Sequence, residues 1–504
     1  MLTLQNTIPA GLTAPDDLLH RLLTLRQQVT DDACPLIRRW TQDIDPTRLH
    51  FRYSLENLAH YVALRRYDIR QLQDDLRPWG ISSLGRIEAQ VLPNLDAVIA
   101  TLADLTNHPL RYDFPRPTQA DFQCGSDHLN TETETIFGRA PAKRRVRTMV
   151  TLPSHAATSY DFVRDLLLGG MNIARINCAH DDAHAWAQMI DHLHRAIDET
   201  GLPCKIAMDL GGPKSRTADV TIPKKRLYRD DVVLLVKDTP VLSNDDTPTI
   251  RCTLTAALDQ VQVGDAVWFD DGKIGAVVTG KISEGAVLRI TQARPKGEKL
   301  KNDKGINFPD TALDLCPLTP KDIADLDFVV AHADMINYSF VQTPDDIAHL
   351  QAEIDRRHPE RPISLIAKIE TAKAVRHLPE LIAKAGAQQA FGVMIARGDL
   401  AVELGFERLA EIQEEILWIC EAAHVPVIWA TQVLESLAKK GVASRAEVTD
   451  AAMSERAECV MLNKGDYILS ALYSLTGILR RMEGHQSKKV SRLRALHSWE
   501  NIER

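Results

Sequence analysis

ISLIAKIE at residues 363–370 and VMIARGDL at residues 393–400 are the stretches that decide the fold of this chain. Each is a short apolar run that contains β-branched residues and ends in charged groups. This pattern is typical of a buried parallel strand that delivers chemistry at its C-terminal end. For either stretch alone, solvated loop charges are an equally good interpretation. The same pattern recurs along the chain, however, and this recurrence favours buried strands.

The charged residues that end these two stretches suggest a chemistry. Glu370 and Asp399 supply two carboxylates, which can hold a hard divalent cation such as Mg²⁺, because that ion keeps waters and substrate phosphates as its other ligands. Lys368 and Arg397 lie beside them and can neutralise a phosphoryl group during its transfer.

Composition limits the class of protein. The chain has 504 residues, 44% hydrophobic and 25% charged, so it can bury a large core and should form two or three domains. The formal net charge of -8 argues against a nucleic-acid partner. Eight scattered cysteines without a Cys-x-x-Cys pair predict reduced core residues. The first eleven residues lack a signal pattern and no later run has the length of a membrane span, so we expect a soluble cytoplasmic enzyme without a membrane partner.

The N-terminal part of the chain has a different pattern of apolar residues from the rest. Apolar residues such as Leu18, Leu22 and Leu25 recur at three- and four-residue spacing, which predicts an α-helical N-terminal domain over residues 1–107. Residues 108–145 turn polar and lose this periodicity, so we interpret them as a linker.

After the linker, strand-like runs alternate with amphipathic ones. This order predicts an α/β fold, a (β/α)₈ TIM barrel built from residues 146–217 and 304–485, with its active site at the C-terminal ends of the strands. Short alternating runs after the third strand predict an all-β lid domain inserted at residues 218–303, and residues 486–504 read as a basic tail. The predicted strands are residues 146–152, 172–179, 204–211, 334–341, 364–370, 392–400, 425–433 and 459–463.

Several strings at or near the strand ends, and in the insertion, resemble pyruvate kinase. They occur in that family's order, share its insertion point and span residues 144–481. The resemblance implies phosphoryl transfer between phosphoenolpyruvate and ADP, giving pyruvate and ATP. The strings are MNIARIN (171–177), MDLGGPKSRT (208–217), VWFDDGKIG (267–275), KGINFPD (304–310), IAKIE (366–370), MIARGDL (394–400), VIWATQVLESL (427–437) and SRAEVTD (444–450).

The resemblance also implies roles for individual residues. Glu370 and Asp399 would hold Mg²⁺ or Mn²⁺, and Lys368 would stabilise the enolate and the phosphoryl group in flight. Arg175 and Ser339 would bind the phosphate of the substrate, and backbone amides around Gly398 would receive its carboxylate. Thr431 would lie beside the enolate carbon and supply the proton, either directly or through a water. The nucleotide matches are Asn177, His180, Arg216 and Lys304. For His180, a surface histidine near a loop is the alternative interpretation.

Departures from the family pattern concern the bound potassium ion. Ala179 and Leu210 stand where most members carry a Ser and a Thr that hold it, and Lys214 replaces a glutamate. Members with lysine there resemble enzymes that need no monovalent cation, so we expect K⁺ not to be required, with a tethered ammonium in its place. A solvated loop lysine is the alternative. Gly211 and Gln342 replace basic residues, which predicts weaker substrate binding.

Other departures concern assembly and regulation. The loop after the eighth strand is shortened to Asn463-Lys464-Gly465. Only a basic tail follows the final helix, so we expect the family's C-terminal regulatory domain, and sugar-phosphate activation through it, to be missing. The N-terminal region resembles the extra segment of a bacterial subgroup of the family, and a role in assembly or regulation is a hypothesis. We expect a homo-oligomer, either a dimer or a tetramer.

Three functional interpretations follow. The first is an active, potassium-independent pyruvate kinase. The second is a different enzyme on the same barrel, such as a metal-dependent lyase or a kinase with another enol-phosphate or acceptor, which Gly211, Gln342 and the shortened loop would favour. The third is a catalytically weak metabolite sensor whose N-terminal helices contact a partner.

Overall fold

The computed structural model of the protein describes residues 12–112, 114–238, 247–488 and 490–491. The expectations for residues 1–11 and for the last part of the basic tail lie outside these residues. Helices form the first part of the chain, as predicted. They are α1 Pro15–Thr41, α2 Arg52–Leu64, α3 Arg70–Leu76, α4 Val91–Leu105 and α5 Gln119–Phe137.

Helix α1 shows why this region folds. It starts with a proline, which is tolerated at the first helical position, and carries Asp16 and Asp17 in its first turn, where they complement the helix dipole. Its apolar stripe, which includes Leu18, Leu22 and Val29, is fully buried and packs on α2 and α4. The predicted α-helical N-terminal region is therefore confirmed.

Helix α5 lies within the segment that the sequence predicts as an aperiodic linker, and that prediction of irregular structure is wrong for residues 119–137. A capping box between Thr118 and Asp121 starts the helix. Most of its surface is polar, but Ile136 and Phe137 in its last turn are buried in the barrel interior, in one cluster with Met149. A helix that buries mainly its last turn gives little periodicity in its sequence.

The first part of the barrel follows directly. It consists of β1 Arg147–Thr151, α6 Tyr160–Leu168, β2 Ile173–Asn177, α7 Ala183–Thr200 and β3 Lys205–Asp209.

The insertion after β3 forms a separate seven-stranded sheet with its own apolar core. The sheet order is β10-β7-β8-β9-β5-β6-β4, so its first and last strands are the two edges and lead back to the barrel. The prediction of a β insertion is confirmed, with one short helix, α8, as an addition. Its elements are β4 Thr217–Thr221, β5 Val232–Val236, β6 Thr249–Cys252, α8 Thr255–Gln260, β7 Ala266–Phe269, β8 Ile274–Ile282, β9 Gly285–Gln292 and β10 Ile306–Asn307.

The second part of the barrel completes the fold. All eight barrel strands are parallel, and they close in the order β1-β15-β14-β13-β12-β11-β3-β2, which confirms the predicted TIM barrel. The remaining elements are α9 Pro320–His332, β11 Met335–Tyr338, α10 Pro344–Asp355, β12 Ser364–Ile369, α11 Ala372–Arg376, α12 Leu378–Gly386, β13 Phe391–Ala396, α13 Arg397–Leu404, α14 Phe406–Ala422, β14 Val427–Ala430, α15 Glu435–Lys440, α16 Arg445–Met453, β15 Cys459–Leu462 and α17 Ile468–Met482.

The start of the predicted basic tail is folded. The short strands β16 Gln486–Ser487 and β17 Val490–Ser491 form a hairpin. Between them Lys488 is buried, and its ammonium lies 2.8 Å from Glu458 Oε1.

The N-terminal region is joined to the barrel by buried polar contacts. Asn57 on α2 donates to the Ala422 carbonyl at 2.8 Å, and Arg48 donates to the Gly386 carbonyl at 3.2 Å while it binds both oxygens of Glu132 at 2.9 Å. These contacts, together with a continuous apolar core, make the helical region and the barrel one packed body.

All eight cysteines are free thiols. Four of them are buried as predicted, three are half-buried, and Cys316 is exposed, which differs from the expectation that all are core residues. In the described part of the chain, none of the helices combines the length and apolar character needed to cross a membrane.

Candidate active site

The side chains predicted to carry the chemistry meet at the C-terminal end of the barrel. Lys368 projects from the end of β12, and its ammonium lies 2.7 Å from Ser339 Oγ, 3.0 Å from Glu370 Oε1 and 3.6 Å from Asp209 Oδ2. Ser339 follows β11 and donates to the Leu210 carbonyl at 2.7 Å. Three neighbouring strands therefore place one ammonium among two carboxylates and a hydroxyl.

The pKa values of the two carboxylates predicted to bind metal shift in opposite directions. Burial raises the pKa of Glu370, and the nearby Asp399 adds to this, although Lys368 opposes it. Glu370 also accepts the Phe340 amide at 2.7 Å. Burial alone would raise the pKa of Asp399, but the ammonium of Lys214 outweighs it and lowers that pKa.

Lys214 comes from the stem of the lid and reaches the barrel end. Its Nζ lies 3.0 and 2.9 Å from the two oxygens of Asp399, and Asn307 of β10 donates to the same carboxylate at 3.4 Å. Burial alone would lower the pKa of Lys214, but Asp399 outweighs it and leaves this pKa raised. Lys214 is thus a fixed positive charge inside the site rather than a solvated loop lysine.

The donor set suits a hard divalent cation. Glu370 is buried and Asp399 is half-buried, both at adjacent strand ends, and their mutual repulsion contributes to the raised pKa of Glu370. In the described ranges no cluster of three or more His, Cys, Asp or Glu side chains could hold a metal. Mg²⁺ needs only one or two carboxylates beside water and substrate oxygens, so a pair is sufficient.

Arg175 on β2 forms a buried fork with Asp209. The two side chains share hydrogen bonds of 2.9 and 2.6 Å, and Arg175 also donates to Thr151 Oγ1 at 2.8 Å. Asn337 donates to Asp209 at 2.6 Å. Asp209 lies within the third predicted strand, in the string MDLGGPKSRT, and the sequence assigned it no role of its own. Asp209 ends a barrel strand, as the other charged residues of the site do, and this position could have identified it as a site residue.

Thr431 follows β14 in an unusual backbone conformation. Its φ is +64°, that of Gln432 is +58° and that of Leu434 is +47°, all in the left-handed region. For a β-branched residue this conformation costs about 1–3 kcal/mol. The Thr431 hydroxyl is buried and has no hydrogen-bond partner among the described residues. It faces Gly398, where an added Cβ would lie 3.8 Å from Thr431 Oγ1.

Arg397 has different partners from those that the sequence suggests. Instead of lying open to a phosphoryl group, its guanidinium donates to the Ala430 carbonyl at 2.9 Å and to the Thr431 carbonyl at 2.6 Å. It also forms a two-bond pair with Asp450 of α16. The arginine is therefore occupied by the protein itself.

The four residues predicted to bind nucleotide are divided between two places. Asn177 and His180 line a cavity of about 290 Å³ together with Arg175. His180 is exposed on the wall of this cavity, as the alternative interpretation of a surface histidine expects, and partial burial lowers its pKa. Arg216 and Lys304 lie instead at the stem of the lid, where Arg216 contacts Asp303 at 3.1 Å and Lys304 contacts Asp270 at 3.1 Å.

A larger cavity of about 710 Å³ lies between the lid stem and the barrel. Lys214 and Asp399 line it, as does Gln342. Gly212 turns the chain just before the lining residues Pro213 and Lys214 at a φ of +67°, where a Cβ would come 2.8 Å from a ring carbon of Phe340. Glycine is required there both for the conformation and for the space.

Comparison with known proteins agrees with this geometry. Residues 143–471 match the family described as "Pyruvate kinase, barrel domain". Pyruvate kinase of Methylorubrum extorquens is 33% identical over 352 residues, which are 68% of this chain and 69% of the relative. Pyruvate kinase of Agrobacterium vitis is 31% identical over 353 residues, 68% and 71% of the two chains. Pyruvate kinase PKLR of Rattus norvegicus is 30% identical over 360 residues, 68% of this chain but only 61% of the relative. This chain thus spans about three fifths of the length of the mammalian enzyme, and over its barrel it belongs to the pyruvate kinase family.

Proposed function

We propose that the protein transfers a phosphoryl group from phosphoenolpyruvate to ADP, giving pyruvate and ATP. The observation that carries this proposal is the convergence of Lys368, Glu370, Asp399 and Ser339 at one end of the barrel. The P–O bond of phosphoenolpyruvate breaks and a bond to a terminal oxygen of ADP forms. The enolate that remains takes a proton at its methylene carbon.

Glu370 and Asp399 would hold Mg²⁺ or Mn²⁺, which when bound screens the negative charge of the phosphates. Lys368 lies within 3.0 Å of Glu370 and can place its ammonium against both the transferring group and the enolate oxygen. Arg175 is held rigidly by Asp209 and can orient the phosphate. Thr431 would deliver the proton, directly or through a water.

We further propose that the reaction needs no potassium ion. Lys214 brings a permanent positive charge to within 3.0 Å of Asp399, and its raised pKa keeps it charged at neutral pH. Ala179 and Leu210 offer no side-chain oxygen to a monovalent cation.

The test is pyruvate formation from phosphoenolpyruvate and ADP with Mg²⁺, in sodium- and potassium-free buffer and again with KCl. We expect equal rates in both buffers. Lys368→Met should lower the rate by at least about 10²-fold, since it removes a positioned charge. Lys205→Met is the matched control, because Lys205 lies at the opposite end of a barrel strand, and it should retain activity. Folded wild-type protein that forms no pyruvate in either buffer would refute the proposed activity.

The role of Lys214 has its own variant. Lys214→Met should lose activity in potassium-free buffer, and KCl should not restore it, because the oxygen ligands of a potassium site are absent. Restoration by KCl would show that a monovalent cation can still bind without those ligands, whereas full activity of Lys214→Met in potassium-free buffer would refute the role of Lys214.

A further inference from the structure

The pair Arg397–Asp450 lies directly behind Thr431 and has no role in the proposed chemistry as described so far. Arg397 is the first residue of α13 and Asp450 lies on α16, so the pair joins two helices that flank β14. The guanidinium carbon also lies 4.6 Å from the centre of the Trp429 ring. Five donor and stacking contacts therefore fix this one side chain.

These contacts act on the two peptide groups that flank Thr431. The Ala430 carbonyl precedes the Thr431 nitrogen, and the Thr431 carbonyl follows its Cα, so the two bonds to Arg397 set the φ and ψ angles of Thr431 between them. A threonine at a φ of +64° does not hold this conformation by itself. The arginine fork, which is planar and rigid, is suited to fix two carbonyls at once.

The orientation of the Thr431 hydroxyl depends on this backbone conformation. The hydroxyl is buried, unpartnered among the described side chains, and faces Gly398 next to Asp399. A buried hydroxyl without a partner is costly, and such a group at a site mouth is available for a substrate or a substrate-bound water.

We propose that Arg397 and Asp450 are positioning residues that hold Thr431 in its left-handed conformation, so that its hydroxyl can act in proton transfer at the methylene carbon of the enolate. This inference rests on the proposed function. Asp450 orients and neutralises the guanidinium, Arg397 fixes the backbone, and only Thr431 or its water exchanges a proton with the substrate.

The experiment separates proton transfer from overall stability. Exchange of the pyruvate methyl hydrogens with D₂O, in the presence of Mg²⁺ and ATP, is followed by proton NMR, alongside kcat and KM for phosphoenolpyruvate. Asp450→Asn keeps the shape of the pair but removes its charge. We expect kcat and the exchange rate to fall by about 10- to 100-fold, because small displacements of a reacting group have effects of this size, while KM changes less than about 3-fold.

A double-mutant cycle shows whether the pair acts through Thr431. In a Thr431→Ala background, Asp450→Asn should lower the exchange rate by less than about 2-fold, because the group that it positions is already gone. Glu414→Gln is the control, since it weakens a comparably buried carboxylate–arginine pair with Arg456, which precedes the N-terminal end of β15. It should leave the exchange rate unchanged.

Each outcome decides the matter. If the losses of exchange rate caused by Asp450→Asn and by Thr431→Ala multiply in the double variant, this inference is overturned while the proposed function stands. The same holds if Asp450→Asn alone leaves the exchange rate unchanged. If the wild-type protein neither forms pyruvate nor exchanges its methyl hydrogens, both are overturned. Should Asp450→Asn fail to fold, Arg397→Lys, which keeps the charge but loses the fork, is used in the same cycle with the same expectations.

Discussion

We expect His424 to make the contact between the barrel and the N-terminal helices sensitive to pH. Its ring is fully buried just before β14, with Nδ1 2.9 Å from Ser54 Oγ and Nε2 2.8 Å from the Ala89 carbonyl. Because a carbonyl can only accept, Nε2 carries the proton and Nδ1 accepts from the serine hydroxyl. The neutral ring thus satisfies both neighbours, and burial lowers the pKa of His424 to about 4.

The size and sign of the effect follow from this pKa. In the opened state the pKa returns to about 6.5, so the opened state binds a proton first as the pH falls. The stability contributed by His424 is complete above pH 6.5 and is lost between pH 6.5 and 4. Lowering the pH from 8 to 5 should weaken the closed state by about 2 kcal/mol, or about 30-fold in the opening equilibrium.

Hydrogen exchange of the α2 amides, followed by mass spectrometry, measures this opening. The comparison protein is His424→Gln, which does not titrate, and the ratio of wild-type to variant protection cancels the intrinsic pH dependence of exchange. It also largely cancels the contribution of His128, whose ring stacks 5.8 Å from His424 and is present in both proteins. We expect this ratio to fall by about 30-fold between pH 8 and pH 5. A ratio that stays constant would refute the assignment of a neutral, buried His424.

Three further predictions concern packing. Glu132→Gln leaves Arg48 buried without its ion partner and should lower the free energy of unfolding by about 3 kcal/mol, measured by urea denaturation, whereas the exposed Glu134→Gln should have almost no effect. Gly125→Ala places a Cβ 2.4 Å from a backbone carbonyl, so it should reduce amide protection in α2 and α5, and unchanged protection would contradict the close approach. Gly212→Ala combines a positive φ with a ring clash and should lower kcat by about 10-fold or more without unfolding the barrel, as judged by circular dichroism; a full-rate variant would show that the turn is adaptable.

The barrel was predictable because of its strands. A parallel strand covered on both faces is a continuous apolar run, and a charge where the run stops marks the functional end of the barrel. Lys368 and Asp399 were found in this way. Two features were not predictable. The polar surface of α5 conceals its buried last turn, and the charge of Arg397 does not reveal that its partners are carbonyl groups of the next strand, since residues distant in sequence supply them.

The burial of Ile136 and Phe137 in the barrel interior has a consequence for how the chain folds during synthesis. The barrel closes only when β1 pairs with β15, and this contact joins the ends of a very long segment of chain, so closure comes late. The two buried residues precede β1 and leave the ribosome before the barrel strands do. They can therefore cover the apolar ends of β1, β2 and β3 while the later strands are still being made. We therefore expect the N-terminal helices to protect a half-made sheet from aggregation, a task distinct from their packing against the barrel in the finished protein.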